Sequence, residues 1–164
     1  MGVAAGVTLV GAVSREPGVV KAGLRSGAAV FLAEAVTWTL KPTVGRSRPY
    51  QDSSQYDFDS FGGRLSFPSG HSTAAFALAT VYSDAIDHPV ATVGFYALAA
   101  AVSWSRLNDD EHWLSDVAAG AIIGTAAGKI VDGKWRIFGL RPPTVLVAGG
   151  RVSLVFGLGD GRRR

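Results

Sequence analysis

The chain of 164 residues is 48% hydrophobic, 18% charged and 10% aromatic, which suits one compact domain and excludes both disorder and a pair of ordinary domains. Its formal charge of +3 arises from 16 basic against 13 acidic residues; Arg162, Arg163 and Arg164 account for the excess, so nucleic-acid binding is not expected. The absence of cysteine excludes disulfides, thiolate metal sites and a cysteine nucleophile.

Residues 1–13 are small and apolar but lack the basic start of a secretory signal and a clear cleavage site. They read as the remnant of a longer N-terminus rather than a signal peptide. A helix is expected over 18–40, because Pro17 suits a first turn where its missing N–H costs nothing, and Pro42 is expected to stop it. Over 43–67 periodicity gives way to Gly, Ser, Asp, Pro and Gln, an unusually long loop. Its Tyr50, Tyr56, Phe58 and Phe61 either meet a substrate, as in a lid, or anchor the loop to the helices.

An alanine-rich helix is expected over 72–86, a turn at Asp87-His88-Pro89, a helix over 90–106, a break at 107–111 and a last helix over 112–131. On that helix Gly120, Gly124 and Gly128 recur every four residues, a smooth stripe for a neighbour to pack on. The tail changes period: 145–148 and 151–156 read as strands around a Gly149-Gly150 turn. A lone hairpin is marginal in water, so it should pack on the helices, pair with another chain or touch a membrane. The expected fold is all-α, a helical bundle over 1–144 with a small C-terminal β-hairpin over 145–157.

Membrane-spanning helices need about 18 or more apolar residues. The run 19–40 carries Lys21, Arg25 and Glu34, the run 90–104 is clean but only fifteen residues long, and 117–131 has Lys129 near its end. Buried helices of a soluble bundle are therefore expected ahead of a membrane-embedded one.

Three polar clusters sit at the ends of these apolar helices. Lys41 and Arg48-Pro49 hold two cations a short loop apart, with Arg46 between them; a lysine point charge and an arginine fork suit a phosphate, although a solvated basic loop looks the same. Pro68-Ser69-Gly70-His71 precedes a helix, where backbone N–H groups can cradle an anion while His71 offers a proton; alternatively Ser69 only caps the helix and His71 faces solvent. Ser105-Arg106 is followed by His112 and Asp116. Four residues apart on a helix, the carboxylate can accept the imidazole Nδ1–H and leave Nε2 as a nucleophile, though such pairs also occur by chance. Together the clusters hold the inventory of phosphoryl transfer through histidine: cations and amides for the phosphate oxygens, one histidine to attack and another to protonate the leaving alkoxide.

Lys41-x6-Arg48-Pro49, Pro68-Ser69-Gly70-His71 and Ser105-Arg106-x5-His112-x3-Asp116 resemble, in order and spacing, the three motifs of the type 2 phosphatidic acid phosphatase (PAP2) superfamily, which includes bacterial acid phosphatases and vanadium haloperoxidases. The resemblance implies His112 as the nucleophile forming a phosphohistidine, Asp116 as its orienter and His71 as the general acid. Lys41, Arg48 and Arg106 would bind phosphate with Ser69 and the Gly70 amide, and neither metal nor other cofactor would be needed. Arg46 is not a motif position. Vanadate mimics the phosphoryl transition state, so the motifs do not separate phosphatase from haloperoxidase; the short chain favours phosphatase. The resemblance further implies an extracytoplasmic enzyme acting on a membrane-derived phosphate such as phosphatidate or a polyprenyl diphosphate, with a soluble phosphomonoester as the alternative.

Overall fold

The computed structural model describes residues 16–135, 144–148 and 151–155. Four helices, α1 (Pro17–Val44), α2 (Gly70–Ile86), α3 (Pro89–Asn108) and α4 (Leu114–Val131), are followed by strands β1 (Thr144–Ala148) and β2 (Arg151–Val155). The strands pair antiparallel, Val145 opposite Leu154 and Val147 opposite Val152, and β1 lies against α1. The expected all-α bundle with a terminal hairpin is the observed architecture. The Gly149-Gly150 turn, Phe156 and residues 1–15 fall outside the described residues.

α2 is the central element and packs against α1, α3 and α4. Its facing positions are small, so backbones approach closely and the core is built from Ala29, Val30 and Ala33 of α1, Ala77 and Val81 of α2, and Ala127 of α4. Hydroxyls bridge the helices within this apolar setting. Thr37 donates to Thr73 at 3.2 Å, Ser83 to Thr92 at 2.7 Å and Ser103 to Ser72 at 3.0 Å, which satisfies polar groups that would otherwise be buried at a cost.

The glycine stripe packs on α2 as expected. A Cβ at Gly124 would overlap the Thr73 carbonyl oxygen and stand 2.8 Å from the Ala77 amide nitrogen. Both are backbone atoms, so neither yields without moving a helix. Gly124→Ala is expected to lower stability by about 1–3 kcal/mol, seen as a fall in the unfolding midpoint; an unchanged midpoint would mean that α2 and α4 separate freely.

Three expectations are corrected. Pro42 lies inside α1 instead of ending it: so close to the helix end, its missing N–H removes a single bond, and the chain runs on to Val44. The helix stops where Gly45 turns left-handed at φ +60° and donates its N–H to the Lys41 carbonyl; a side chain there would strike the Asp59 carbonyl. The last helix begins at Leu114, leaving His112 ahead of it.

The third correction concerns the apolar run 90–104, expected to be buried. Within α3 only Ala99 and Ser103 are buried, because the helix turns this small pair toward α2 and leaves Val90, Val93, Leu98 and Trp104 outside. With its flanking residues, α3 reaches 20 residues and holds an 18-residue stretch of mean hydropathy 1.3, and α4 is 18 residues at 1.4. Both are long and apolar enough to cross a membrane.

Candidate active site

The three polar clusters meet at one end of the bundle. Lys41 sits in the last turns of α1, and the loop after it contributes Arg46, Arg48 and Ser66. Gly70 and His71 open α2, the α3–α4 connection brings Glu111 and His112, and Asp116 occupies the first turn of α4. A cavity of about 430 Å³ is lined by Lys41, Arg48, Gly70, His71 and His112, with Glu34 and Trp38 of α1.

His112 is 5% exposed. Its Nδ1 lies 3.6 Å from Asp116 Oδ2, within ion-pair reach but longer than a hydrogen bond. The pairing expected from their spacing is present, but not as two side chains on one helical face: His112 stands before Trp113, the N-cap of α4, and reaches back to the first turn. Asp116 is fully buried. Its Oδ2 accepts from the Ser66 hydroxyl at 2.5 Å and the Trp113 N–H at 3.0 Å, and its Oδ1 accepts from Arg46 Nη1 at 2.6 Å.

Arg46 and Ser66 are the residues that reading the motifs missed. Arg46 is 6% exposed, donates through Nε and Nη2 to the Gln55 carbonyl, and through Nη1 to Ser115 as well as Asp116. Its guanidinium lies 5.5 Å from the ring centroids of both Phe58 and Trp113, a cation–π contact with each. An arginine inside a basic loop was visible in the sequence; its burial was not.

The loop is stitched down. Ser47 N–H donates to the Asp57 carbonyl, Ser66 N–H to the Arg46 carbonyl and Tyr50 N–H to the Asp110 carbonyl. Of its aromatics, Phe58 lies against Arg46 and Tyr50 against Arg48, and Tyr50, Tyr56, Phe58 and Phe61 are all exposed.

At the start of α2, the N–H groups of Gly70 and His71 have no acceptor among the described residues, the arrangement that receives an anion at a helix N-terminus. Ser69 is fully buried as the N-cap, accepting from the Ser72 N–H at 3.5 Å and the Ser72 hydroxyl at 3.1 Å, and does not line the cavity. Its N–H donates to the Asp116 carbonyl, which joins α2 to α4. Arg106 also lies outside the lining and pairs with Asp109 at 2.9 Å.

Burial lowers the Lys41 ammonium below the ordinary lysine value, and Arg48 adds to that. Its Nζ donates to the Leu65 carbonyl at 2.7 Å. His71 is also lowered, first by burial, then by Arg106 and His112, with Lys41 adding and Glu111 opposing. Glu111 is paired with Arg48, so it competes with any oxyanion for that guanidinium. Glu111→Gln is expected to tighten binding of inorganic phosphate by roughly 2- to 5-fold, the scale of a partly exposed ion pair. Calorimetric titration reads this directly, and weaker binding would show that Glu111 orients Arg48 rather than competing for it.

Comparison with known proteins identifies the family and the fold. The PAP2 superfamily model matches residues 22–132. The decaprenylphosphoryl-5-phosphoribose phosphatase of Mycobacterium tuberculosis is 35% identical over 109 residues, 66% of this chain and 59% of that protein. The lipid A 1-phosphatase of Rhizobium etli is 37% identical over 90 residues, 52% of this chain and 38% of that protein. The chain thus spans about three-fifths of the mycobacterial relative's length and less of the rhizobial one's. The crystal structure of Aquifex aeolicus LpxE superposes with a TM-score of 0.61 at 25% identity, covering 78% of this chain and 74% of that one.

Proposed function

The chain belongs to the PAP2 superfamily, and from that premise we propose that it is a phosphatase that removes phosphate from a lipid-linked monoester or diphosphate through a phosphohistidine on His112. The observation that carries this reading is the convergence of His112, His71, Lys41 and Arg48 on one cavity, with buried Asp116 behind His112. His112 Nε2 attacks phosphorus while Asp116 holds the Nδ1–H side of the ring. Lys41, Arg48 and the N–H groups of Gly70 and His71 neutralise the phosphate oxygens. His71 protonates the departing alkoxide, then takes a proton from the water that attacks the phosphohistidine and regenerates His112. The site's own cations and amides provide the charge stabilisation, so the proposed reaction needs no metal.

A lipid substrate is supported by the relatives, whose names are those of lipid phosphatases, and by the apolar outer face of α3, which suits contact with a bilayer. The extracytoplasmic side rests on the family resemblance.

His71 supplies the test. His71→Ala is expected to lower kcat/KM by about 10²-fold or more for esters of poorly departing alcohols and far less for nitrophenyl phosphate. For the native enzyme, the alkaline limb of kcat/KM should lie below the ordinary histidine value, because the acid form of a lowered His71 is lost sooner as pH rises. A uniform loss across leaving groups would remove His71 from the acid role.

A further inference from the structure

Glu34 is the one acid among the residues named above as lining the cavity. It shares a face of α1 with Trp38 and Lys41, at i, i+4 and i+7, so the acid lies about 10 Å along the helix from the lysine, with the indole between them. The helix is anchored on either side of Glu34 by buried Ala33 and Thr37. The Glu34 carboxylate oxygens stand 3.5 and 3.6 Å from the point a Cβ on Gly70 would occupy. That places a carboxyl group beside the first turn of α2, next to His71, the group that protonates the leaving oxygen; burial raises its pKa and Lys41 opposes that rise. Among the described residues Glu34 has no hydrogen bond or ion pair, and Trp38 is 64% exposed.

An ionised carboxylate accepts hydrogen bonds and repels anions. An exposed indole offers a flat apolar surface with a polar edge. Resting on the phosphatase reading above, we propose that Glu34 and Trp38 form a leaving-group subsite for a hydroxylated, sugar-like alcohol and exclude a second phosphate from the same place. The phosphoryl group lies at the cationic end, the sugar hydroxyls donate to Glu34, and the C–H face of the ring rests on Trp38. A diphosphate would instead direct its leaving phosphate toward the carboxylate. The subsite therefore selects phosphate monoesters of sugars over prenyl-type diphosphates.

The test compares kcat/KM for three soluble probes that share a primary-alcohol carbon skeleton: ribose 5-phosphate, pentyl phosphate and pentyl diphosphate. Ratios within one protein cancel any loss of folded enzyme. The wild type is expected to favour ribose 5-phosphate over pentyl phosphate by about 10-fold or more, the scale of a hydrogen bond to a charged group. Glu34→Leu should cut that ratio about 10-fold. Glu34→Gln, which keeps an acceptor without the charge, should retain part of the sugar preference and raise pentyl diphosphate relative to pentyl phosphate. Trp38→Ala should raise KM for ribose 5-phosphate more than it lowers kcat. A wild type without sugar preference, or ratios unmoved by both Glu34 variants, overturns the subsite while leaving the phosphatase reading intact. Failure of the wild type on all three overturns the subsite, and failure on phosphatidate and polyprenyl diphosphate in detergent as well overturns the phosphatase reading.

Discussion

Asp116→Asn is expected to lower turnover by roughly 10³- to 10⁴-fold, the scale seen when a buried carboxylate behind a catalytic histidine becomes an amide. Affinity for orthovanadate or phosphate should change only a few-fold. The carboxylate receives Arg46, Ser66 and the Trp113 N–H, all donors, while facing His112 Nδ1. An amide of the same shape sets its NH₂ either against Arg46 or against Ser66, the Trp113 N–H and His112, so the imidazole faces a weaker neutral acceptor or none at all and its tautomer is no longer fixed. The groups proposed to hold phosphate are Lys41, Arg48 and the start of α2, none of which the substitution touches. Phosphate release at saturating substrate gives the first quantity and vanadate inhibition the second. Equal losses in both would deny Asp116 its positioning role.

Arg46→Met should cost about 3–5 kcal/mol of stability, because it leaves a fully buried carboxylate without its cation. The same change strips the Gln55 carbonyl of two donors. Arg46→Lys should recover only part of the loss: an ammonium restores the charge but cannot reach Gln55 and Asp116 together as the guanidinium fork does. Denaturant unfolding of the three proteins orders them wild type, lysine, methionine. A methionine variant within about 1 kcal/mol of wild type would show that Asp116 is held by Ser66 and Trp113 alone.

Some of this was legible in the sequence because the chemistry demands particular residue types at short range. An anion cradle at a helix start needs Gly70 and His71 close to where the helix begins, and the local sequence placed that start within two residues of Gly70. The glycine stripe announced a close helix neighbour for the same local reason. Arg46 was not legible, since its significance comes from Asp116, seventy residues away. The spacing of His112 and Asp116 misled about their setting: four residues on a helix and a loop residue reaching over an N-cap give the same interval. The outward face of α3 was hidden for a different reason. Hydropathy reports what a segment is made of, whereas burial depends on whether a second helix arrives to cover it.

The glycine stripe also separates what can change from what cannot. His71 opens α2 and His112 precedes α4, and these two helices touch through backbone where Gly120 faces the Ser69 carbonyl. The close packing of the two helices that carry or follow the histidines thus limits how far their backbones can move apart. Glu34 and Trp38 belong to α1, which packs beside that pair. Mutations at Glu34 and Trp38 can therefore explore new leaving groups while the frame that carries the two histidines stays still, so substrate range can diverge faster than reaction chemistry among proteins built this way.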